Sequence, residues 1–160
     1  MIDYTTFPPN RTVDEILNRL RLIKVASGYN TEPVIGAEVV TLDEIGDDST
    51  KMPFVCVEVV SLSGIAQLFN SEDTNATLTE DAELRCVIWC YIEDEVSPRN
   101  AIMALVEDVL KSIWTDETLN DYAVGVDLEQ VRIFAPAMSG SNISVAGVSV
   151  DVALQFPRGG

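Results

Sequence analysis

The sequence contains no histidine. That removes Ser-His-Asp and Cys-His catalysis, zinc sites that use imidazole, and an imidazole base working near neutral pH. Cysteine is scarce, at three residues: Cys56, Cys86 and Cys90. An odd count in a chain with no visible export signal argues against a disulfide framework. Cys86 and Cys90 fall on one face of an expected strand, about 13 Å apart at the usual rise per residue, too far for a disulfide or a shared metal. All three are expected to be small buried hydrophobes. No P-loop and no GxGxxG occurs, and the Ser-Gly pairs at Ser63-Gly64 and Ser139-Gly140 lack nucleophile-elbow spacing. No apolar run reaches the roughly 18 residues that a membrane span needs. The start, Met1-Ile2-Asp3-Tyr4, shows no secretory signal. The expectation is a protein made and kept in a cytoplasm, with no membrane partner.

Basic residues are also few. Ten Lys and Arg face 26 Asp and Glu, for a net charge of −16 over 160 residues. Residues 1–35 hold four acids and four bases, which leaves 22 acids against six bases in the rest. Such a surface repels phosphate and disfavours specific nucleic-acid binding. Two readings remain open: plain solubility, or a surface that does not cling to a passing polyanion.

What is present is a substantial apolar fraction, 47%, enough for one core in one domain. The run Leu84-Arg85-Cys86-Val87-Ile88-Trp89-Cys90-Tyr91-Ile92 is expected to be the central strand of a sheet, covered on both faces. After it, Ser97 as N-cap and Pro98 at the first position open a helix of about 25 Å. Its buried stripe is Ile102, Leu105, Val106, Val109, Leu110 and Ile113; Arg99, Glu107, Asp108 and Lys111 are expected in water.

Upstream, residues 1–11 with Pro8-Pro9 read as an extended arm. A first helix is expected from Thr12 (N-cap) to Ser27, with Asp14 and Glu15 in its first turn and Gly28 just past its end. A strand is expected from Val34 to Glu44, and another from Phe54 to Val60. Residues 63–82 form a long loop or hairpin, with an apolar start and an acidic middle, read either as functional or as a simple hairpin tip. Val124–Phe134 shifts its alternation near Glu129-Gln130, which predicts a β-bulge. The last strand alternates from Ala146 to Phe156, one face on a core and one face wet. The fold class is therefore α+β: a mixed, mostly antiparallel sheet packed by two main helices.

Carboxylates raise the question of hard metals. Asp73-x-Asn75-x-Thr77-x-Thr79 resembles the start of a calcium loop, but Leu78 replaces the turn glycine and Leu84 the bidentate glutamate. No metal, cofactor or catalytic residue is assigned, and no enzymatic activity is expected.

The order of parts carries a resemblance. An N-terminal helix ends near Gly28-Tyr29, and "PFVCVEV" follows an acidic turn. After a long loop come "ELRCVIWCYI", a Pro-started helix, "WTDETLNDYA", and two long strands that end at Phe156-Pro157. This layout resembles the tail terminator (tail completion, head–tail joining) proteins of tailed bacteriophages, a group that includes the lambda minor tail protein U. The resemblance spans nearly the whole chain but rests on layout, since the family has no catalytic signature. It implies a structural virion protein of the tail or neck, assembled in the host cytoplasm. Such a protein forms a homohexameric ring that caps the tail tube, stops its polymerisation and offers a docking face to the head connector. Genomic DNA passes through the lumen without specific binding. The partners implied are other copies of the chain, the tail tube protein and the connector or neck protein. Candidate lumen acids are Asp43, Glu44, Asp47 and Asp48 in the turn and Glu72, Asp73, Glu80 and Asp81 in the loop. Ile65, Leu68 and Phe69 are the candidate contact with the tube or a neighbouring subunit; local packing under the loop is the equal alternative. Two other readings stand beside this one: another neck ring (head completion or stopper), or a non-virion assembly chaperone or host-interaction protein.

Overall fold

The structure is a computed structural model that describes residues 8–36, 38–41, 44, 52–64, 82–115, 123–137 and 141–154, without the side chains of Pro8, Ala123, Val124 and Glu129. The order of elements is α1 (Pro8–Leu20), β1 (Val34–Gly36), β2 (Phe54–Ser63), β3 (Glu83–Glu93), α2 (Pro98–Trp114), β4 (Ala123–Phe134) and β5 (Ile143–Leu154). Among the described residues these build a five-stranded sheet in the order β1-β2-β3-β5-β4. Only β1 with β2 is parallel; the other pairs are antiparallel. The α+β class expected from the sequence is the one observed.

β3 is the central strand. Its Leu84, Cys86, Ile88 and Cys90 line up with Val152, Val150, Val148 and Ala146 of β5. Together with Val55 and Val57 they meet Ile16, Leu17 and Leu20 of α1 and Ile102, Leu105, Val109 and Ile113 of α2 in one closed apolar cluster. Both helices therefore lie on this face of the sheet. Each large aliphatic side chain buried there contributes about 1.5–3 kcal/mol. The other face departs from expectation. Phe54, Cys56, Tyr91 and Val145 make a second, small cluster at one end, with Val40, Met52, Trp89 and Ala137 packed against it. Beyond that end the face opens: Val87 is half-buried and Arg85 exposed. The oily run of β3 is thus sealed on one side and only partly covered on the other.

The bulge falls where the alternation shifts. β4 pairs Leu128 with Val150 and Gln130 with Ser149, a register slip at Glu129. The slip returns Val131 to the helix side, so Val126, Leu128 and Val131 all contribute to the same cluster.

Several boundaries differ from those expected: β2 runs on to Ser63, β5 starts at Ile143, and the largest changes are in α1 and β1. α1 starts at Pro8, not Thr12, and ends at Leu20. Two prolines with preset φ suit the first turn, where a missing N–H costs nothing, so the proposed arm loses residues 8–11 to the helix. Thr12 is then an interior residue, fully buried, and no acid stands in the first turn. At the other end the apolar stripe stops at Ile23, because the next positions on it are Ser27 and Thr31. The chain leaves the helix there and makes one 3-10 turn, Val25–Ser27, capped by Gly28 at φ 92°.

The strand expected over 34–44 is three residues long. Gly36 lies against the Phe54 ring, where an added Cβ would stand 2.4 Å from Cζ. Past that point Val40 packs against the second cluster, and the Tyr91 hydroxyl donates to the Val40 carbonyl at 2.8 Å.

The helix expected at Ser97-Pro98 begins there, but the Ser97 hydroxyl makes no capping bond. Asp94 Oδ1 instead accepts from the backbone N–H groups of Val96 (2.9 Å) and Ser97 (2.7 Å). Its carboxylate sits three residues upstream and supplies the negative charge that the N-terminus favours.

Candidate interaction surfaces

Of the sequence-derived candidates, only Glu44 is described. It is exposed, its carboxylate accepts the Thr41 hydroxyl at 3.0 Å, and its N–H donates back to Thr41 Oγ1 at 3.3 Å. Asp43, Asp47, Asp48, Glu72, Asp73, Glu80 and Asp81 lie outside the described residues, as do Ile65, Leu68 and Phe69.

The three cysteines are free thiols and buried, as expected. Burial pushes the Cys86 thiol up to about 12, with the Asp151 charge adding to it. Burial also raises Cys90, helped by Cys56, and raises Cys56 against an opposing hydrogen bond from Val40. Tyr91 rises to about 12, again by burial first, then by the neighbouring thiols and by Glu58 and Glu44. A thiol held neutral and away from solvent is a poor nucleophile. Among the described residues no group of three Cys, Asp or Glu is arranged to hold a metal ion, and no helix is long and apolar enough to cross a membrane.

Asp108 was expected in water and is 1% exposed. Its Oδ1 accepts Asn30 N (3.0 Å) and Nδ2 (3.1 Å); its Oδ2 accepts Thr31 N (2.7 Å) and Oγ1 (2.6 Å). One carboxylate therefore fastens the turn after α1 to the middle of α2. Lys111 reinforces the joint by sitting 5.1 Å from the centre of the Tyr29 ring. Nothing local in the sequence signals this, because the partners stand 77 and 78 residues away.

Two concave surfaces stand out among the described residues. One is an apolar groove of about 920 Å³ between α2 and β4, lined by Met103, Leu110, Trp114, Leu128 and Val131, with Glu107 and Lys111 at its polar margin. The second is a polar recess of about 550 Å³ on the open face of the sheet, formed by Glu83, Arg85, Asp127 and Asp151 beside Gly125 and Ala153. There Arg85 holds Asp151 across the strands with two bonds, Nε to Oδ1 at 2.8 Å and Nη2 to Oδ2 at 3.1 Å. Asp127 is the register partner of Asp151 on the far side. Three carboxylates around one guanidinium leave the recess acidic.

No known protein family matches the chain, and no curated protein matches it in sequence.

Proposed function

We propose that this chain is a structural protein of a phage tail, which closes into a ring at the end of the tail tube, halts tube growth and receives the head connector. The observation that carries the reading is the order of parts along the chain: helix, short strand, strand, long interval, central strand, Pro-started helix, two long strands. The fold supports it, being an α+β sheet backed by two helices, the class that the resemblance implies. The acid excess supports it too. A lumen lined by carboxylates lets DNA slide, because repulsion between like charges acts over about 10 Å at 0.1 M salt. Glu44 and the other acids among residues 43–48 and 72–81 are the proposed lumen groups, and Ile65, Leu68 and Phe69 the proposed contact with the tube.

The test is electron microscopy of particles made with and without the protein. Its loss is expected to give overlong or headless tails, and labelled protein is expected as a ring between tube and connector. Uniform tails with heads attached would overturn the proposal. A ring found on the head side of the neck would make it a head-completion or stopper protein.

A further inference from the structure

We propose that the end of α1 is the docking surface by which one copy of this chain engages the next, through the acidic recess on the open face of its neighbour. The inference rests on the ring reading and specifies its contact.

The end of α1 brings two bases within three residues of each other. Arg21 and Lys24 are both exposed in a chain with 26 acids, yet among the described residues neither forms an ion pair. Among the described residues Arg21 donates to the side-chain oxygen of Asn18, at 3.2 Å. The nearby carboxylate of Glu32 accepts the Val25 N–H. Between and beside these two bases stand Leu22, 62% exposed, and Val25, 59% exposed. Two unspent cations around two bare aliphatic side chains match a partner that is acidic with some apolar surface.

The segment is also fixed in shape. Ile23 is buried beneath it, Leu22 and Ile23 donate to the Arg19 and Leu20 carbonyls, and Ser27 and Tyr29 donate to Lys24 O. Asp108 holds the residues that follow. A patch already ordered loses little freedom on binding.

A second copy supplies the complement. Its open face carries exposed Glu83 and Asp127 in a recess where, among the described lining residues, three carboxylates face one cation: Arg85 is bonded to Asp151 and stands 3.9 Å from Glu83, which leaves a net negative charge. Val60, half-exposed at the β2 bulge, lies next to Ser61, the register partner of Arg85. The two patches are different surfaces of one chain, so the contact is heterologous and repeats in one sense around a ring.

The test uses the full chain at 0.15 M salt, read by native mass spectrometry and sedimentation, with circular dichroism to confirm folding. Wild type is expected to associate. Arg21→Glu/Lys24→Glu alone and Glu83→Lys/Asp127→Lys alone are each expected to lose association at least tenfold. Mixing the two variants restores opposite charges at every contact and is expected to restore association. If either variant associates like wild type, or the mixture fails to recover, this contact is wrong while the ring stands. If wild type itself stays monomeric at all concentrations, the ring reading falls as well.

Discussion

On the helix side of β3, Leu84, Cys86, Ile88 and Cys90 are closed from water; on the other side of the same strand, Arg85, Val87 and Trp89 are not. The same backbone serves two purposes. The closed side gathers side chains from both helices and, with Ile35 of β1 at its margin, all five strands, so a change there is felt across the domain. The open side is divided. One end is roofed by Val40, Met52 and Ala137 over Phe54 and Tyr91, and the other is a solvated recess held by an arginine. Stability is concentrated on one face, which leaves the other free to vary its charges.

The largest expected effect tests that division directly. Ile88→Ala removes a fully buried side chain from the centre of the closed face and is expected to cost about 2–5 kcal/mol. Its neighbour Val87, half-buried on the open face, is expected to cost less than about 1 kcal/mol as Val87→Ala. Urea unfolding of the two variants measures both. Equal losses would mean that the open face is covered in the assembled protein.

The carboxylates give a sharper version. Asp108 is enclosed and satisfies four donors, two of them backbone N–H groups that no other described group satisfies. Asp108→Ala is expected to cost about 2–3 kcal/mol by stranding those donors. Asp151 meets a guanidinium whose side chain is 48% exposed, so water can replace the lost partner. Asp151→Asn is therefore expected to cost about 1 kcal/mol or less. The same unfolding series reads the difference.

The closed face and the bulge were legible in the sequence because they obey periodicity. Even positions from Leu84 to Ile92 and from Ala146 to Leu154 define one face, and the slip at Glu129 shows as a change of parity. The α2 stripe follows for the same reason, with Leu110 only half-buried at its margin beside the groove. What was not legible depends on residues far apart in the chain. Asp108 looks solvated until the turn at Asn30-Thr31 is folded against it. The open face of β3 looks buried because Val87 and Trp89 are apolar, and Trp89 finds its cover in Gly147 of β5, where an added Cβ would lie 3.0 Å from the ring. Gly36 of β1 is fitted to the Phe54 ring of β2, a contact across strands. The candidate lumen and loop residues, Glu44 apart, fall outside the described residues, so the surfaces argued from structure are different ones.

The thiols test the closed face by pH. An unfolded cysteine ionises near 9.0, whereas Cys86 in the fold keeps its proton to about 12. Below pH 9 both states hold the proton and the contribution to stability is complete. Above it the unfolded chain releases protons that the folded chain retains, so stability falls, and the contribution is lost as pH rises through 12. For Cys86 the first full unit of this fall is worth about 1.4 kcal/mol. Cys90, on the same face, acts in the same direction. Stability measured from pH 8 to 10.5 is therefore expected to decline, and Cys86→Ala to flatten the decline. A thiol reagent at pH 8 is expected to leave both thiols unmodified until the protein unfolds. Rapid modification of the native protein would show that water reaches the helix side of β3, and the contrast between the two faces would fail at its centre.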